Sequence, residues 1–216
     1  MSLSQKRFTE LWKRLGAIDD GSSVFATIEK AYAEPHRAYH TGSHIEACLR
    51  LLDDDEIRAE AKNADEVEAA LWFHDAIYDV RGADNEEQSA QLALKTMHDA
   101  RIDHARANRV AKMIRATKAH VSDDPDTALV IDIDLSILGE SQSIFERYDA
   151  DISREFNWLP KDLFQSARDA ALEKFLTRER IFVHEPFARR FEPGARANLA
   201  RALERLGPGD EEFDKL

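Results

Sequence analysis

Cysteine, proline and glycine are all scarce in this chain. The single cysteine, Cys48, excludes an internal disulfide and is typical of a reducing cytoplasm, which is the location we expect. Only 8 Gly and 6 Pro interrupt 216 residues, and runs rich in β-branched residues hardly occur. Strong helix formers dominate instead, mainly Ala, Leu, Glu, Lys and Arg. The composition therefore predicts an all-α fold.

Long apolar runs and an excess of basic residues are missing too. No run approaches membrane-spanning length, and residues 1–16 lack the pattern of a signal peptide, so we expect no membrane partner. With 42 acidic and 30 basic residues, the formal charge is −12. That balance argues against a nucleic-acid partner, because such binding needs Lys and Arg on phosphates. A small anionic substrate held by a local basic cluster remains compatible with it.

The length suits one large domain with a substantial core. We predict a single helical domain over residues 1–206, with its core at about 24–140 and C-terminal helices at 143–206 packed on that core. The last residues, 207–216, are polar and acidic, and we expect a disordered tail there.

Hydrophobic periodicity places helices along most of the chain. Ser4 is a candidate N-cap for the first helix, and Asp84 with Glu87 is a candidate capping box for a later one. Two segments break the pattern: 53–56 is interpreted as a solvated acidic loop, and 181–191 as irregular. Among others, helices are predicted at about 103–118, 128–139, 144–156, 161–177 and 195–206.

An apolar run at 69–79 delivers a His-Asp pair. Leu71, His74 and Tyr78 fall on one helical face, which predicts that the imidazole points into the interior. Burying the adjacent Asp75 carboxylate is costly unless it is paired or binds a metal. The pair is therefore either a metal-binding element or a buried hydrogen bond, and this stretch alone does not separate the two.

Two further segments carry ligand-type side chains. His40 and His44 are four residues apart, so they share a face if their helix begins early enough. If the run 128–139 is a helix, its apolar stripe turns Asp134 inward and Asp132 more to the side; Asp132 remains the rival ligand. Two imidazoles and two carboxylates suit Mn, Fe, Co, Ni or Zn better than Mg or Ca, which prefer oxygen ligands. We expect one divalent transition-metal ion, or two.

The order of these residues resembles a known signature. His44, His74-Asp75 and Asp134 are similar to the H…HD…D set of the HD superfamily of metal-dependent phosphohydrolases, over about residues 39–139. The resemblance implies an HD-domain helical bundle with flanking helices. It also implies that His44, His74, Asp75 and Asp134 hold the metal.

A second likeness concerns the histidine that precedes this set. Tyr39-His40-x-x-x-His44 is similar to the Tyr-His-Asn-x-x-His segment of cyclic-nucleotide phosphodiesterases of the same superfamily. By that likeness His40 is the general acid and His44 a metal ligand. Thr41 stands where those enzymes have Asn, and the chain is much shorter, so a cyclic-nucleotide substrate is not carried over.

The resemblance implies that a metal-activated water attacks a small phosphorylated metabolite or nucleotide. Arg37 and Lys118 are candidates for binding its phosphate, with surface salt bridges as the alternative. His120 is a candidate ligand of a second metal, or else a histidine favoured by the dipole at a helix C-terminus. Asp79 and Glu86 are candidate carboxylates behind the ligands, with caps and loop solvation as the alternative.

Two other functions stay open on sequence grounds. One is a di-iron oxygenase of the same superfamily, which would require His120. The other is a non-catalytic module in which the metal only fastens three helices together. Trp12, Trp72 and Trp158 are interpreted as core or interface aromatics, which leaves a homodimer open.

Overall fold

The protein is helical throughout the part of the chain that the computed structural model describes, residues 3–204. No strand occurs in that range, so the all-α prediction is confirmed. The predicted tail at 207–216 lies outside the described residues. The helices are α1 Gln5–Arg14, α2 Ser22–Tyr32, α3 Gly42–Leu52, α4 Asp55–Arg58, α5 Ala64–Phe73, α6 Asn85–Asp99, α7 His104–Ala116, α8 Pro125–Leu135, a 3₁₀ turn Ser136–Gly139, α9 Gln142–Glu155, α10 Lys161–Leu176 and α11 Glu185–Glu204.

Side-chain caps fix where several helices begin. The Ser4 hydroxyl accepts a hydrogen bond from the Arg7 amide at 3.3 Å, which confirms the predicted cap of α1. Asp124 caps α8 in the same way, ahead of a proline in the first turn. The capping box predicted for α6 is wrong, because Asp84 makes no cap bond and Glu87 binds Arg115 instead.

Two helices are buried on nearly every side and form the centre of the molecule. All residues of 66–73 in α5 and of 126–133 in α8 are buried. α5 packs against α1, α3, α7 and α8. Phe8 and Trp12 of α1 stack at 5.3 Å, and the edge of Trp72 meets Phe8 at 5.2 Å. A helix that is apolar all round has no solvent face, so its end can deliver polar side chains to an interior site.

The charged residues inside α5 are paired. Glu68 accepts from Arg7 at 2.7 Å and from Arg14 at 2.9 Å. Glu66 accepts two bonds from the Arg109 guanidinium, at 2.6 and 2.7 Å. These pairs balance carboxylates that would otherwise be costly to bury, and they tie α5 to α1 and α7.

Three sequence predictions about elements are wrong in whole or in part. The acidic segment 53–56 is exposed, as predicted, but only its first two residues lie outside a helix, and Asp54 caps α4 with a 3.0 Å bond from the Glu56 amide. The segment 181–191 is not wholly irregular, because α11 begins at Glu185 and continues through Pro193. The helix carrying the His-Asp pair ends at Phe73, so Tyr78 does not share a helical face with His74. No described helix has the length and apolarity needed to cross a bilayer.

Candidate metal centre

Ligand-type side chains from three helices meet at one point. α3 supplies a histidine in its first turn, α5 delivers a His-Asp pair directly after its last residue, and α8 supplies an aspartate near its end. His40 does not join them on a helical face, because α3 begins only at Gly42. The donor cluster consists of His44, His74, Asp75 and Asp134.

Each carboxylate of the donor cluster lies within 4 Å of both imidazole nitrogens. The Nε2 atoms of His44 and His74 are 3.2 Å apart. Asp134 Oδ1 is 3.2 Å from the first Nε2 and 3.6 Å from the second. Asp75 Oδ2 is 3.7 Å and 3.2 Å from the same two atoms. Both imidazoles are buried, and both carboxylates are less than one-fifth exposed.

A backbone bond fixes the tautomer of His74. Its Nδ1 lies 3.0 Å from the carbonyl oxygen of Leu71, which can only accept a hydrogen bond. Nδ1 therefore carries the proton, and in the neutral ring the lone pair lies on Nε2, the atom that faces the cluster. A second group that orients the ring in this manner is usual for metal-binding histidines.

The cluster is short of positive charge. Among the described residues, the carboxylates of Asp75 and Asp134 have ion pairs only with histidines. Burial alone would lower the pKa of His74, but these two carboxylates outweigh burial and raise it well above its usual value. Burial alone would raise the pKa of Asp75 and of Asp134, and the imidazoles lower both instead. A cation at this point would balance two buried negative charges.

The donor set fits a divalent transition-metal ion. Adjacent ligands of an ion bound at about 2.1 Å lie about 3.0–3.4 Å apart, close to the separations of 3.2–3.7 Å found here. His44, His74 and Asp75 each offer an atom within 4.8 Å of the other two. Mixed imidazole and carboxylate donors favour Mn, Fe, Co, Ni or Zn.

The rival aspartate has a different partner. Asp132 is fully buried and accepts bonds from the amides of Val183 and His184 and from the His184 ring, at 2.7–3.1 Å. It therefore holds the segment that leads into α11. Asp134 is the aspartate of α8 that contacts the cluster. The predicted orientation of Asp132 toward the side of the helix is wrong, because Asp132 is fully buried whereas Asp134 is partly exposed.

His40 lies beside the cluster and is held by a carboxylate that the sequence analysis missed. Its ring centre is 6.2 Å from that of His44, and its Nδ1 is 2.7 Å from Glu155 Oε2. Glu155 also accepts from Tyr78 at 2.7 Å. The usable signal was the position of Glu155 on the stripe of α9 that includes buried Phe145 and Ile152.

His120 also meets the cluster. Its Nε2 lies 3.3 Å from Asp134 Oδ2, the oxygen that does not face the other two histidines. The residue stands four positions beyond the end of α7, in the left-handed region at φ 52°. Arg178 donates to its carbonyl at 2.8 Å. The dipole of α7 does not account for this placement, because that effect falls off within the last turn.

The basic residues expected to bind phosphate lie elsewhere. The Arg37 side chain is fully buried and donates to the carbonyl oxygens of His40, Asp75 and Ala76, so it supports the backbone around the cluster. Arg37 also pairs with Glu34 at 3.0 Å, so the salt bridge of the alternative interpretation is present, but the guanidinium is buried and does not lie on the surface. The Lys118 ammonium donates to the Ala83 carbonyl, which favours the surface alternative.

Asp79 and Glu86, the two carboxylates expected to orient the metal ligands, have other partners. Asp79 accepts a bond from the Arg81 amide at 2.9 Å within its own loop. Glu86 lies 3.8 Å from the Lys118 ammonium, its only partner among the described ion pairs. Both arrangements match the alternative interpretation, caps and loop solvation.

A pocket of about 700 Å³ opens next to the donor cluster. We call it the cluster pocket; His44 and Asp134 form part of its wall. Apolar and small polar side chains line the rest, together with three arginines, Arg50, Arg147 and Arg190, and three acidic residues, Asp54, Glu140 and Asp151. Its size is that of a site for a whole small metabolite.

Comparison of the chain with known proteins finds no matching family model, no matching curated protein and no matching solved structure.

Proposed function

We propose that the protein is a metal-dependent phosphohydrolase that acts on a small phosphorylated metabolite. The observation that carries the proposal is the convergence of two imidazoles and two carboxylates, and these carboxylates have no Lys or Arg partner among the described residues. Two of the four residues, His44 and Asp134, line an open pocket. A purely structural metal site would be closed. The likeness of this ordered set to the H…HD…D signature supports the same reaction.

The residues around the cluster suit hydrolysis of a phosphoric ester or anhydride. When bound, a divalent ion supplies Lewis acidity and lowers the pKa of a bound water. The bond from the water oxygen to phosphorus forms while the bond from phosphorus to the leaving oxygen breaks. Arg37 keeps the backbone carbonyls of His40 and Asp75 in place.

His40 is the proton donor to the leaving oxygen in this proposal. Burial alone would raise the pKa of Glu155, but its bonds with His40 lower it to about 2, so the carboxylate is ionised and accepts from His40 Nδ1. Because Nδ1 faces Glu155, Nε2 is the ring atom that would give a proton to the leaving oxygen. Correct protonation by such a group contributes about 10²–10⁴ in rate.

The test compares metal content and phosphate release in the same preparations. Protein purified without chelator or polyhistidine tag is analysed for metal and then assayed against a panel of phosphorylated metabolites. We expect His74→Ala and Asp134→Asn to lose metal and turnover together, whereas His40→Ala keeps the metal and loses about 10²-fold or more in rate. Asp132→Asn is the matched control, because its carboxylate serves the α11 segment and not the cluster.

Several outcomes would count against the proposal. Wild-type turnover by His40→Ala would remove its assigned role as proton donor. Metal bound at full occupancy by Asp134→Asn would remove that residue from the ligand set. If metal-loaded wild-type protein hydrolyses no phosphate compound, the hydrolase proposal is contradicted. The non-catalytic module, in which the metal only fastens helices together, would then be the better explanation.

A second candidate, a di-iron oxygenase, is favoured by one observation. The two oxygens of Asp134 face different histidines, with Oδ2 toward His120, and a carboxylate in that position can bridge two ions. Anaerobically purified protein with two irons per chain and oxygen uptake would favour this function. One ion per chain, retained by His120→Ala, would oppose it.

A further inference from the structure

We propose that the cluster pocket selects substrates with a second anionic group, a phosphate or a carboxylate, separated from the reacting phosphate by an apolar body. This inference rests on the proposed hydrolase function, and it concerns the part of the pocket away from the metal ligands. It is carried by the order of side chains along α3 and by three arginines that belong to three different helices.

α3 forms one wall of the cluster pocket, and the rise of this helix gives the distances along that wall. His44, Ala47, Cys48 and Leu51 all line the pocket, at the spacing of a single helical face. Because the helix rises 1.5 Å per residue, Arg50 lies roughly 9 Å along the axis from His44. The wall therefore runs from a metal ligand, past small and apolar side chains, to a cation.

Further charged side chains lie near the C-terminal end of α3, away from His44. Asp54 lies two residues beyond the end of α3 and also lines the pocket. Arg190 of α11 lies 3.6 Å from Asp54, and its side chain is about half exposed. The pair therefore places the Arg190 guanidinium near that end of α3.

Arg147 supplies a cation without a partner. It lies on α9, on the pocket-lining face with Ile144 and Asp151, and makes no hydrogen bond or ion pair within residues 3–204. Asp151 contacts Arg154 instead. An unpaired guanidinium in a pocket of a protein with a net charge of −12 is available to bind an anion.

The side chains that line the pocket carry no surplus of cations, because three arginines, Arg50, Arg147 and Arg190, face the carboxylates of Asp54, Asp134, Glu140 and Asp151. Arg190 lies 3.6 Å from Asp54, and Arg50 lies 3.8 Å from Glu46. Among the described residues, Arg147 is the pocket arginine that remains without an ion pair, and its guanidinium can bind an anionic oxygen of the ligand in bidentate fashion.

Apolar side chains form a further part of the pocket wall, namely Leu51, Ile133, Ile137 and Ile144. Burial of apolar surface there stabilises a ligand whose central part is a ring or a hydrocarbon chain. Adjacent phosphates, as in inorganic pyrophosphate, are too close together to span the distance of roughly 9 Å between His44 and Arg50 along α3.

Rigid aryl phosphates test the inference directly. The matched probes are biphenyl-4-yl phosphate, its 4′-carboxylate and its 4′-phosphate, with inorganic pyrophosphate as the compact dianion. For Mn²⁺-loaded wild-type protein we expect a KM at least tenfold lower for one or both of the 4′-charged probes than for the uncharged one, with kcat similar. Comparison of the KM values for the 4′-carboxylate and the 4′-phosphate identifies which anion is preferred.

Arginine variants locate the effect. Arg147→Gln and Arg50→Gln should each raise the KM of the 4′-charged probe by roughly tenfold and leave that of the uncharged probe unchanged. Arg180→Gln is the control, since Arg180 is similarly exposed but pairs with Glu185 and does not line the pocket. A uniform loss on all probes would indicate a structural effect and would overturn the inference.

Binding of the corresponding phosphonates, measured by calorimetry, separates this inference from the hydrolase function. If the 4′-charged phosphonate binds more tightly than the uncharged one, and Arg147→Gln abolishes this difference, the inference is supported. Absence of hydrolysis for every probe would contradict the proposed function but not this inference. Equal affinity for charged and uncharged phosphonates would overturn the inference while leaving metal-dependent hydrolysis intact.

Discussion

A single buried carboxylate holds the segment that carries His40. Glu155 Oε1 accepts from the amides of Ala38, Tyr39 and His40 at 2.7–3.0 Å, and Oε2 accepts from the His40 ring and from Tyr78. Burial alone would raise the pKa of this carboxyl, but these bonds lower it from 4.5 to about 2. The charged form of Glu155 is therefore favoured by the native fold.

This depressed pKa makes the stability contribution of Glu155 depend on pH. Its contribution is fully present above the unfolded-state pKa near 4.5 and is lost as pH falls toward the folded-state value of about 2. We predict that Glu155→Gln lowers the free energy of unfolding by about 2 kcal/mol at pH 6, and that the difference from wild type shrinks between pH 4.5 and pH 2. Urea unfolding at a series of pH values measures it.

Glu10→Gln is the control for this prediction, since Glu10 is exposed and has only a 3.8 Å contact with Lys6. Its unfolding free energy should follow wild type across the range. A Glu155→Gln deficit that stays constant down to pH 2 would contradict the assignment of the effect to the ionised carboxylate.

At the residue scale, sequence spacing predicted that the cluster residues lie close together, but it did not predict which side chains hold them in place. His44, His74 and Asp134 could be placed together because each lies on the apolar stripe of a helix, or at its end. Glu155 could not be paired with His40, because 115 residues separate them and only the packing of α9 brings them into contact. The same holds for Arg37, whose burial depends on carbonyls from a distant turn.

At the scale of elements, the backbone of the 3₁₀ turn lies in close contact with the backbone of α11. A Cβ on Gly139 would lie 2.4 Å from the Phe191 carbonyl oxygen, and a Cβ on Gly194 would lie 2.5 Å from the Gly139 carbonyl oxygen. Backbone meets backbone here without a side chain between. The two glycines let α11 pack onto the end of the helix that carries Asp134.

We predict that Gly139→Ala destabilises the fold by about 2 kcal/mol or more, because the added methyl group meets backbone atoms that only a helix shift can move. Gly82→Ala is the control: its Cβ would lie 3.0 Å from the partly exposed side chain of Asn85 and 3.2 Å from the Asp79 carbonyl oxygen, both longer than the 2.4 Å approach at Gly139. Chemical denaturation measures both. Equal unfolding midpoints for the two variants would contradict the close packing of α11.

This packing also explains why the start of α11 was misplaced. Pro193 and Gly194 are helix-breaking signals, so the sequence favoured a helix that begins after them. In the structure, stacked Phe182, Phe187 and Phe191 bury the first half of the helix against the core, and this burial outweighs the lost backbone bond. Periodicity predicts that a segment is helical, but not which neighbour it packs against.

At the scale of the whole molecule, the donor cluster joins segments that are far apart in the sequence. Its ligands come from α3, from the end of α5 and from α8, and a core cluster that extends from Leu3 to Ala202 brings these helices together. The unfolded chain does not hold this arrangement. An ion that binds the folded site therefore stabilises the fold as a whole.

We predict that metal removal lowers the melting temperature. A ligand at 100 times its Kd adds about 2.7 kcal/mol to the free energy of unfolding, which for a domain of this size is a shift of roughly 5–10 °C. Calorimetric scans with a chelator and with added Mn²⁺, Co²⁺, Ni²⁺ or Zn²⁺ measure it. His74→Ala should melt at one temperature under all these conditions, and Asp132→Asn, although less stable, should keep the full metal-dependent shift because its carboxylate lies outside the cluster. A wild-type melting temperature that none of the four ions changes would show that the cluster is a hydrogen-bonded His-Asp network and not a metal site.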